Sequence, residues 1–198
     1  MEKTIKIDEM SVSIPEYYQR VDPMPDDPKD SIPFMVQTEN AVCLLMVTPI
    51  ALEQTIPRNK EDLLRGVRRF LGDNQGIIAV DTGDIYAYSI VKTLKQPSGV
   101  QYILTYHKFY LESAIQIQAF FEEGQMTGLR DNVVYNMCRQ KGWVGTAEDP
   151  FAGWQKDPYD ESVTSGTRMN MSELEEFDEM FPDFPLSMCR ELIRVLQE

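Results

Sequence analysis

The chain has 198 residues, of which 32 are acidic and 19 are basic, so that its formal net charge is −13. A chain of this length fits one domain with an extension, or one large domain, and is long enough to bury a core without disulfides or metals. The acidic balance argues against a protein that binds nucleic acid, because such proteins carry a basic surface patch. It is compatible with a basic protein partner, and equally with an acidic surface that only confers solubility.

The N-terminal segment lacks the apolar run of a secretion signal, and no run approaches the ~18 apolar residues of a membrane span. Three cysteines, Cys43, Cys138 and Cys189, lie far apart and form no metal-binding pair. We interpret them as reduced, mostly buried thiols. The sequence therefore predicts a cytoplasmic protein with no membrane association, no metal site and no cofactor.

The first predicted elements are strands. Residues 3–14 alternate between apolar and polar, which predicts a strand with a bulge or turn at Asp8–Glu9. The proline- and aspartate-rich residues 21–33 predict a loop. Residues 34–38 and 41–47 predict a hairpin whose second strand is apolar on both faces, so we expect that strand to be central and covered on both sides.

The first predicted helix covers residues 59–71, with Asn59 as its N-cap. Five apolar residues recur on its inward face: Leu63, Leu64, Val67, Phe70 and Leu71. The outward face carries three basic residues: Arg65, Arg68 and Arg69. These arginines either pair with acidic parts of the same chain or form a site for an anion or a partner.

Strands are predicted at residues 77–80 and 85–94, followed by two long strands over residues 100–121 with a turn at 111–114. In the return strand we expect the core side chains to be Ile115, Ile117, Ala119 and Phe121. Gln116 and Gln118 then lie on the other face. The register stays open, because two-residue and three-residue loops pair opposite sets of side chains.

A second helix is predicted over residues 127–141. Its inward side chains are Leu129, Val133, Val134, Met137 and Cys138. The order of strands, helix, antiparallel strands and helix predicts an α+β fold in which helices flank an antiparallel β-sheet.

The composition changes after this helix, which suggests a domain of residues 1–145 and an acidic C-terminal extension of residues 146–198. Residues 147–198 contain 13 acids and 4 bases. The capping-box pattern Ser172–Glu175 predicts a short acidic helix. A last helix carries an apolar stripe of Leu186, Cys189, Leu192, Ile193 and Leu196, which we expect to pack on the domain; a partner or a second copy is the alternative. The acidic candidates for a partner contact are Asp160, Glu161, Glu173, Glu175, Glu176, Asp178 and Glu179.

No catalytic residue is predicted. His107 is the sole histidine and lies within a predicted strand, where a structural role is the usual one. The chain carries none of the local motifs of serine hydrolases, zinc proteases or nucleotide-binding proteins. Glu112, Glu122 and Glu123 fall at strand ends and turns, where exposed acids are common.

The segment Ser13–Tyr18, which follows an alternating strand, resembles the opening of the PsbP-like/Mog fold family. The order of elements over residues 3–142 is similar to that family as well. The resemblance implies an α/β/α sandwich and a protein that binds other proteins without catalysis. It carries over no site residue.

We therefore expect a non-catalytic protein–protein interaction module with a basic protein partner. One concrete form is a cytosolic immunity protein that blocks a secreted toxin. The alternatives are a small-ligand-binding or enzymatic domain with a pocket between sheet and helices, and a homo-oligomeric structural protein. Both a monomer and a homodimer are compatible with the sequence.

Overall fold

The computed structural model describes residues 1–52 and 56–198. Its strands are β1 (Glu2–Ile7), β2 (Met10–Pro15), β3 (Gln19–Arg20), β4 (Ile32–Gln37), β5 (Ala41–Ala51), β6 (Gln75–Thr82), β7 (Tyr86–Leu94), β8 (Val100–Phe109), β9 (Ser113–Glu123), β10 (Gln155–Lys156) and β11 (Met169–Asn170). Its α-helices are α1 (Lys60–Arg69), α2 (Leu129–Gln140) and α3 (Pro185–Gln197), and two short 3-10 helices cover Met171–Glu173 and Glu175–Met180. None of the helices in these two ranges is long and apolar enough to cross a membrane.

The fold is built on a seven-stranded antiparallel sheet in the order β3-β4-β5-β9-β8-β7-β6. The long hairpin of β8 and β9 lies near its middle, as the alternation of apolar residues predicted. The loop between the two strands has two residues, because Tyr110 still pairs with Ser113. The amide of Tyr110 donates to the carbonyl of Ser113 over 2.9 Å. This loop resolves the open register: Phe109 lies opposite Ala114, and Tyr102 lies opposite Phe121.

One face of the sheet carries the main hydrophobic core and is covered by α3 and the β1–β2 hairpin. Ile117 and Phe121 point to this face and are fully buried, as predicted. All five residues of the predicted C-terminal stripe lie in the same core, each at most 5% exposed. The last helix therefore packs on its own domain. Of the bulge and the turn predicted at Asp8–Glu9, the structure has the turn, since β1 and β2 form a hairpin.

In the part of the chain that the structure describes, the other face of the sheet is covered at one end, where Leu63 of α1 packs near Ala87, Phe109 and Ala114. With α1 on this face and α3 on the opposite one, the predicted antiparallel sheet flanked by helices is confirmed. The prediction that residues 41–47 are covered on both sides is wrong. Cross-strand neighbours on the second face remain partly exposed in a row of Met35, Leu44, Phe120, Ile103 and Val91. The described contacts of α1 on this face are with the cluster of Ala87, Phe109 and Ala114, which does not include the row.

Two predicted inward side chains point to solvent. Phe70 is 83% exposed, because α1 ends at Arg69 and Phe70 serves as its C-cap. Val133 is 37% exposed, whereas Val134 and Cys138 of the same helix are fully buried, as predicted. Val134 and Cys138 belong to a second hydrophobic cluster, which α2 forms with side chains of the C-terminal segment such as Phe181.

The two edges of the sheet are covered to different extents. The C-terminal segment lies against β6, where the hydroxyl of Tyr159 bonds both the amide (2.6 Å) and the carbonyl (3.2 Å) of Val80. A Cβ atom at Gly76 would lie 2.5 Å from the carbonyl oxygen of Thr167, so this close approach requires glycine. At the opposite edge, β3 covers β4 over only two residue pairs. The edge of β4 is therefore left partly open.

Candidate functional site

Glu173, one of the acidic contact candidates, lies inside the protein with no exposed surface. Its carboxylate accepts hydrogen bonds from the ammonium of Lys92 (2.9 Å), the hydroxyl of Tyr102 (2.8 Å) and the amide of Asn170 (2.6 Å). The capping box is formed by Asn170 with Glu173, two residues earlier than predicted. Glu173 therefore anchors the C-terminal segment to the sheet, and we remove it from the contact candidates.

Asp178 has a comparable structural role. Its carboxylate accepts from Arg130 (2.9 Å) and Arg190 (3.0 Å), and from the hydroxyl of Ser187 (3.0 Å). The guanidinium of Arg130 also donates to the carbonyl of Ser172 over 2.8 Å. These bonds connect α2, α3 and the segment between them. The charges of Arg130 and Asp178 are therefore paired with each other within the protein.

The remaining acidic candidates are exposed: Asp160, Glu161, Glu175, Glu176 and Glu179. Hydrogen bonds from Ser162 lower the pKa of Asp160, so this side chain is ionised at neutral pH. Glu175 and Glu176 border a groove of about 650 Å³ that also contains Lys156 and Arg190. Because that groove mixes both signs of charge, it does not favour a basic ligand over an acidic one.

The arginines of the predicted stripe do not form one site, because each lies in a different environment. Arg68 forms a bidentate pair with the buried Asp157, at 2.6 and 3.1 Å, and Arg65 pairs with Asp62 at 2.7 Å. Arg69 is exposed. This placement favours the interpretation that the arginines pair with acids of the same chain.

Replacing Arg68 by alanine should loosen the segment that covers β6. The change leaves the buried carboxylate of Asp157 without a cation, and a buried group without its partner costs about 1–3 kcal/mol. Hydrogen exchange of the backbone amides in residues 155–170 should therefore become about tenfold faster or more, while the β8–β9 amides change little. Arg69→Ala is the matched control and should leave all these rates unchanged. Equal effects of the two substitutions would contradict the anchoring role of Arg68.

The candidate catalytic groups are not assembled into a reaction site. His107 lies opposite Gln116 on the partly covered face, and burial lowers its pKa, opposed by a hydrogen bond with Gln116. Glu122 pairs with Lys95 at 2.6 Å, and Glu123 accepts from the amides of Val100 and Gly128. Within residues 1–52 and 56–198, no group of three or more acidic, cysteine or histidine side chains is placed to hold a metal ion.

A groove of about 660 Å³ lies between the open edge of β4 and the beginning of α3. Most of its lining is apolar, and the apolar side chains are Tyr17, Val21, Met35, Val36, Pro182 and Met188. We call it the β4 groove. Tyr17 and Met35 are 42% and 40% exposed, which is high for large apolar side chains. An exposed apolar surface of this kind marks a binding site more often than a catalytic one.

Two carboxylates border the β4 groove. Asp183 accepts a hydrogen bond from the amide side chain of Asn40 (2.9 Å), and Glu191 accepts one from the hydroxyl of Tyr17 (2.8 Å). Burial and this bond raise the pKa of Tyr17 well above its usual range, so the phenol stays a donor. Among the residues that the structure describes, no Lys or Arg nitrogen lies within 4.0 Å of either carboxylate. The groove thus combines an apolar floor with two uncompensated negative charges.

The sequence builds this groove locally from turns and caps. Thr38 donates its backbone amide to the carbonyl of Ala41 (2.8 Å), which closes the β4–β5 turn. The hydroxyl of Thr38 also donates to the carbonyl of Asp183 (3.2 Å) and so fixes the turn against α3. Pro185 occupies the first turn of α3, where its fixed φ favours helix initiation.

Comparisons with known proteins give little beyond the fold. No protein-family model matches the chain, and no curated protein matches it in sequence. A solved structure with a similar fold is that of the Ran-binding protein Mog1p from Saccharomyces cerevisiae, determined at 1.9 Å. It shares 8% sequence identity with this chain, and the match has a TM-score of 0.46 and covers 69% of this chain and 83% of Mog1p. We infer nothing about function from this likeness.

Proposed function

We propose that the protein is a non-catalytic interaction module that binds a basic protein partner in the β4 groove. The observation that carries this proposal is the pair of carboxylates, Asp183 and Glu191, which border an apolar groove and form no ion pair with any described residue. A Lys or Arg side chain of a partner would supply the missing charge and form charge-assisted hydrogen bonds. Apolar partner side chains would displace water from Met35 and Met188.

The acidic balance of the whole chain supports the same partner chemistry. A net charge of −13 attracts basic proteins from a distance and raises their association rate. The three cysteines are free and buried, which supports a cytoplasmic, reducing location. In its finer form, the proposed module is an immunity protein that inhibits a basic secreted toxin, and it acts as a monomer or a homodimer.

The test is capture from a lysate of the source organism with three forms of the full-length protein. The baits are the wild type, the groove variant D183N/E191Q and the control variant E175Q/E176Q, which loses the same number of charges elsewhere. We expect a basic protein on the wild type and the control, greatly reduced on the groove variant. Raising the salt from 0.1 M to 1 M should release it, because screening weakens charge pairs.

Two results would contradict the proposed function. The first is the recovery of no protein above an unrelated acidic bait of similar size. The second is a partner that all three baits retain equally, or that is lost on the E175Q/E176Q control rather than on the groove variant. Reconstitution with the purified partner then distinguishes a toxin, whose activity the protein should block, from other basic proteins.

A further inference from the structure

The backbone of β4 is fully paired on its inner side and only partly paired on its outer side. The inner side of β4 pairs with β5 over six residues, from Ile32 to Gln37. On its outer side, β3 pairs only with Phe34 and Met35, and the amide of Val21 reaches the carbonyl of Pro33. The β3–β4 ladder therefore stops before Gln37, where the chain enters β3 from the turn of Pro15 and Tyr18.

The alternation of an antiparallel ladder determines which backbone groups point outward. Thr38 bonds Ala41 across the turn, so its backbone groups point toward β5. In an antiparallel ladder every second residue does so, and the next such residue in β4 is Val36. The amide and carbonyl of Met35 and Gln37 then point away from β5. Met35 meets Gln19 of β3, but Gln37 faces the β4 groove. Within residues 1–52 and 56–198, no turn or loop hydrogen bond engages the amide or carbonyl of Gln37, so both can pair with an incoming chain.

At the opposite edge of the sheet, the corresponding backbone groups of Val80 in β6 are already paired. There the hydroxyl of Tyr159 occupies both the amide and the carbonyl of Val80. An unpaired strand edge is a template for pairing with another chain. The β4 groove places such an edge beside an apolar floor and two carboxylates.

The two carboxylates also limit the shape of the occupant. Glu191 lies six helical rises of 1.5 Å, or about 9 Å, beyond Pro185, the first residue of α3, and Asp183 lies two residues before Pro185. Each carboxylate can accept from a separate cation of the occupant. In an extended chain, residues i and i+2 point to the same side and lie about 7 Å apart. Two long basic side chains at such positions can span the remaining distance.

We propose that the β4 groove binds an extended basic segment of the partner, which adds as a short strand to β4 at Gln37. Lys or Arg residues at positions i and i+2 of the segment pair with Asp183 and Glu191, and apolar residues contact Met35 and Met188. This inference rests on the proposed function and specifies its binding mode. Main-chain hydrogen bonds supply affinity, and the charges supply specificity.

The test uses random nonapeptides displayed on phage and selected on the full-length protein, with an excess of soluble D183N/E191Q as competitor. We expect enriched sequences with basic residues two apart. The best synthetic peptide should bind at least tenfold more weakly to D183N/E191Q than to E175Q/E176Q. The peptide is then N-methylated at one backbone position at a time, which removes one donor while the side chain stays in place.

The methylation series separates strand addition from other modes. We expect an alternating pattern, in which methylation at the position opposite Gln37 weakens binding at least tenfold and methylation of its neighbours has little effect. A basic peptide whose affinity ignores backbone methylation overturns strand addition, whereas the proposed function stands. A selection that enriches no peptide over the competitor also overturns this inference. The lysate capture decides independently whether a protein partner binds at all.

Discussion

Replacing Glu173 by alanine should lower the free energy of unfolding by about 3–5 kcal/mol. The Lys92 side chain is only 3% exposed and lies 2.9 Å from Glu173, so the substitution leaves a buried ammonium without its counter-ion. It also removes the acceptor of the Tyr102 hydroxyl and one half of the capping box at Asn170. Urea denaturation followed by circular dichroism measures the effect.

A double-mutant cycle identifies the buried pair as the cause. Lys92→Met and Glu173→Leu should each destabilise the protein strongly, and the double variant should be more stable than either, because no charge then remains buried. Glu176→Ala, which removes an exposed acid three residues further on, serves as the control and should leave the urea midpoint unchanged. Additive effects of the two core substitutions would contradict the proposed coupling.

A chain that ends after Gly145 should fail to fold. The missing segment contains α3, whose apolar stripe lies in the main core beside Leu45 and Leu104. Each such side chain contributes about 1.5–3 kcal/mol when buried, and a whole domain is stable by only about 5–15 kcal/mol. The loss of five of them, together with the Glu173 anchor, exceeds this margin. Circular dichroism and light scattering should show an unfolded or aggregated chain.

The control for this truncation is a chain that lacks only Gln197 and Glu198. Both residues are exposed, and the carbonyl of Leu196, which accepts from Tyr106 over 3.1 Å, is retained. This shorter truncation should leave the thermal midpoint nearly unchanged. A folded, monomeric chain of residues 1–145 would contradict the shared core and would support the division into a domain and a separate extension.

The alternation of apolar residues was sufficient to predict the strands and their buried face. Ile115, Ile117, Ala119 and Phe121 follow a strict period of two, and a strand with that pattern buries one face. The stripe of α3 was predictable for the same reason, with a period of 3.6. These signals are local, and they depend only on the order of residues along one element.

The buried Glu173 anchor and the β4 groove depend on contacts between distant segments, which a single sequence does not reveal. Glu173 looks like any other acid of the C-terminal segment, and its burial depends on Lys92, which is 81 residues away. The β4 groove combines side chains from β3, β4 and α3. The one local signal for it is Pro33, since proline within a sheet is confined to edges and strand starts.

The most direct test of strand addition in the β4 groove is an NMR titration that follows the backbone amide of Gln37. In 15N-labelled full-length protein titrated with the selected basic nonapeptide, this amide should shift and become protected from hydrogen exchange, together with its neighbours in β4 and the first turns of α3. D183N/E191Q should show neither effect at the same peptide concentration. Shifts confined to the opposite edge, around Val80 and Lys156, with Gln37 unchanged, would contradict the account.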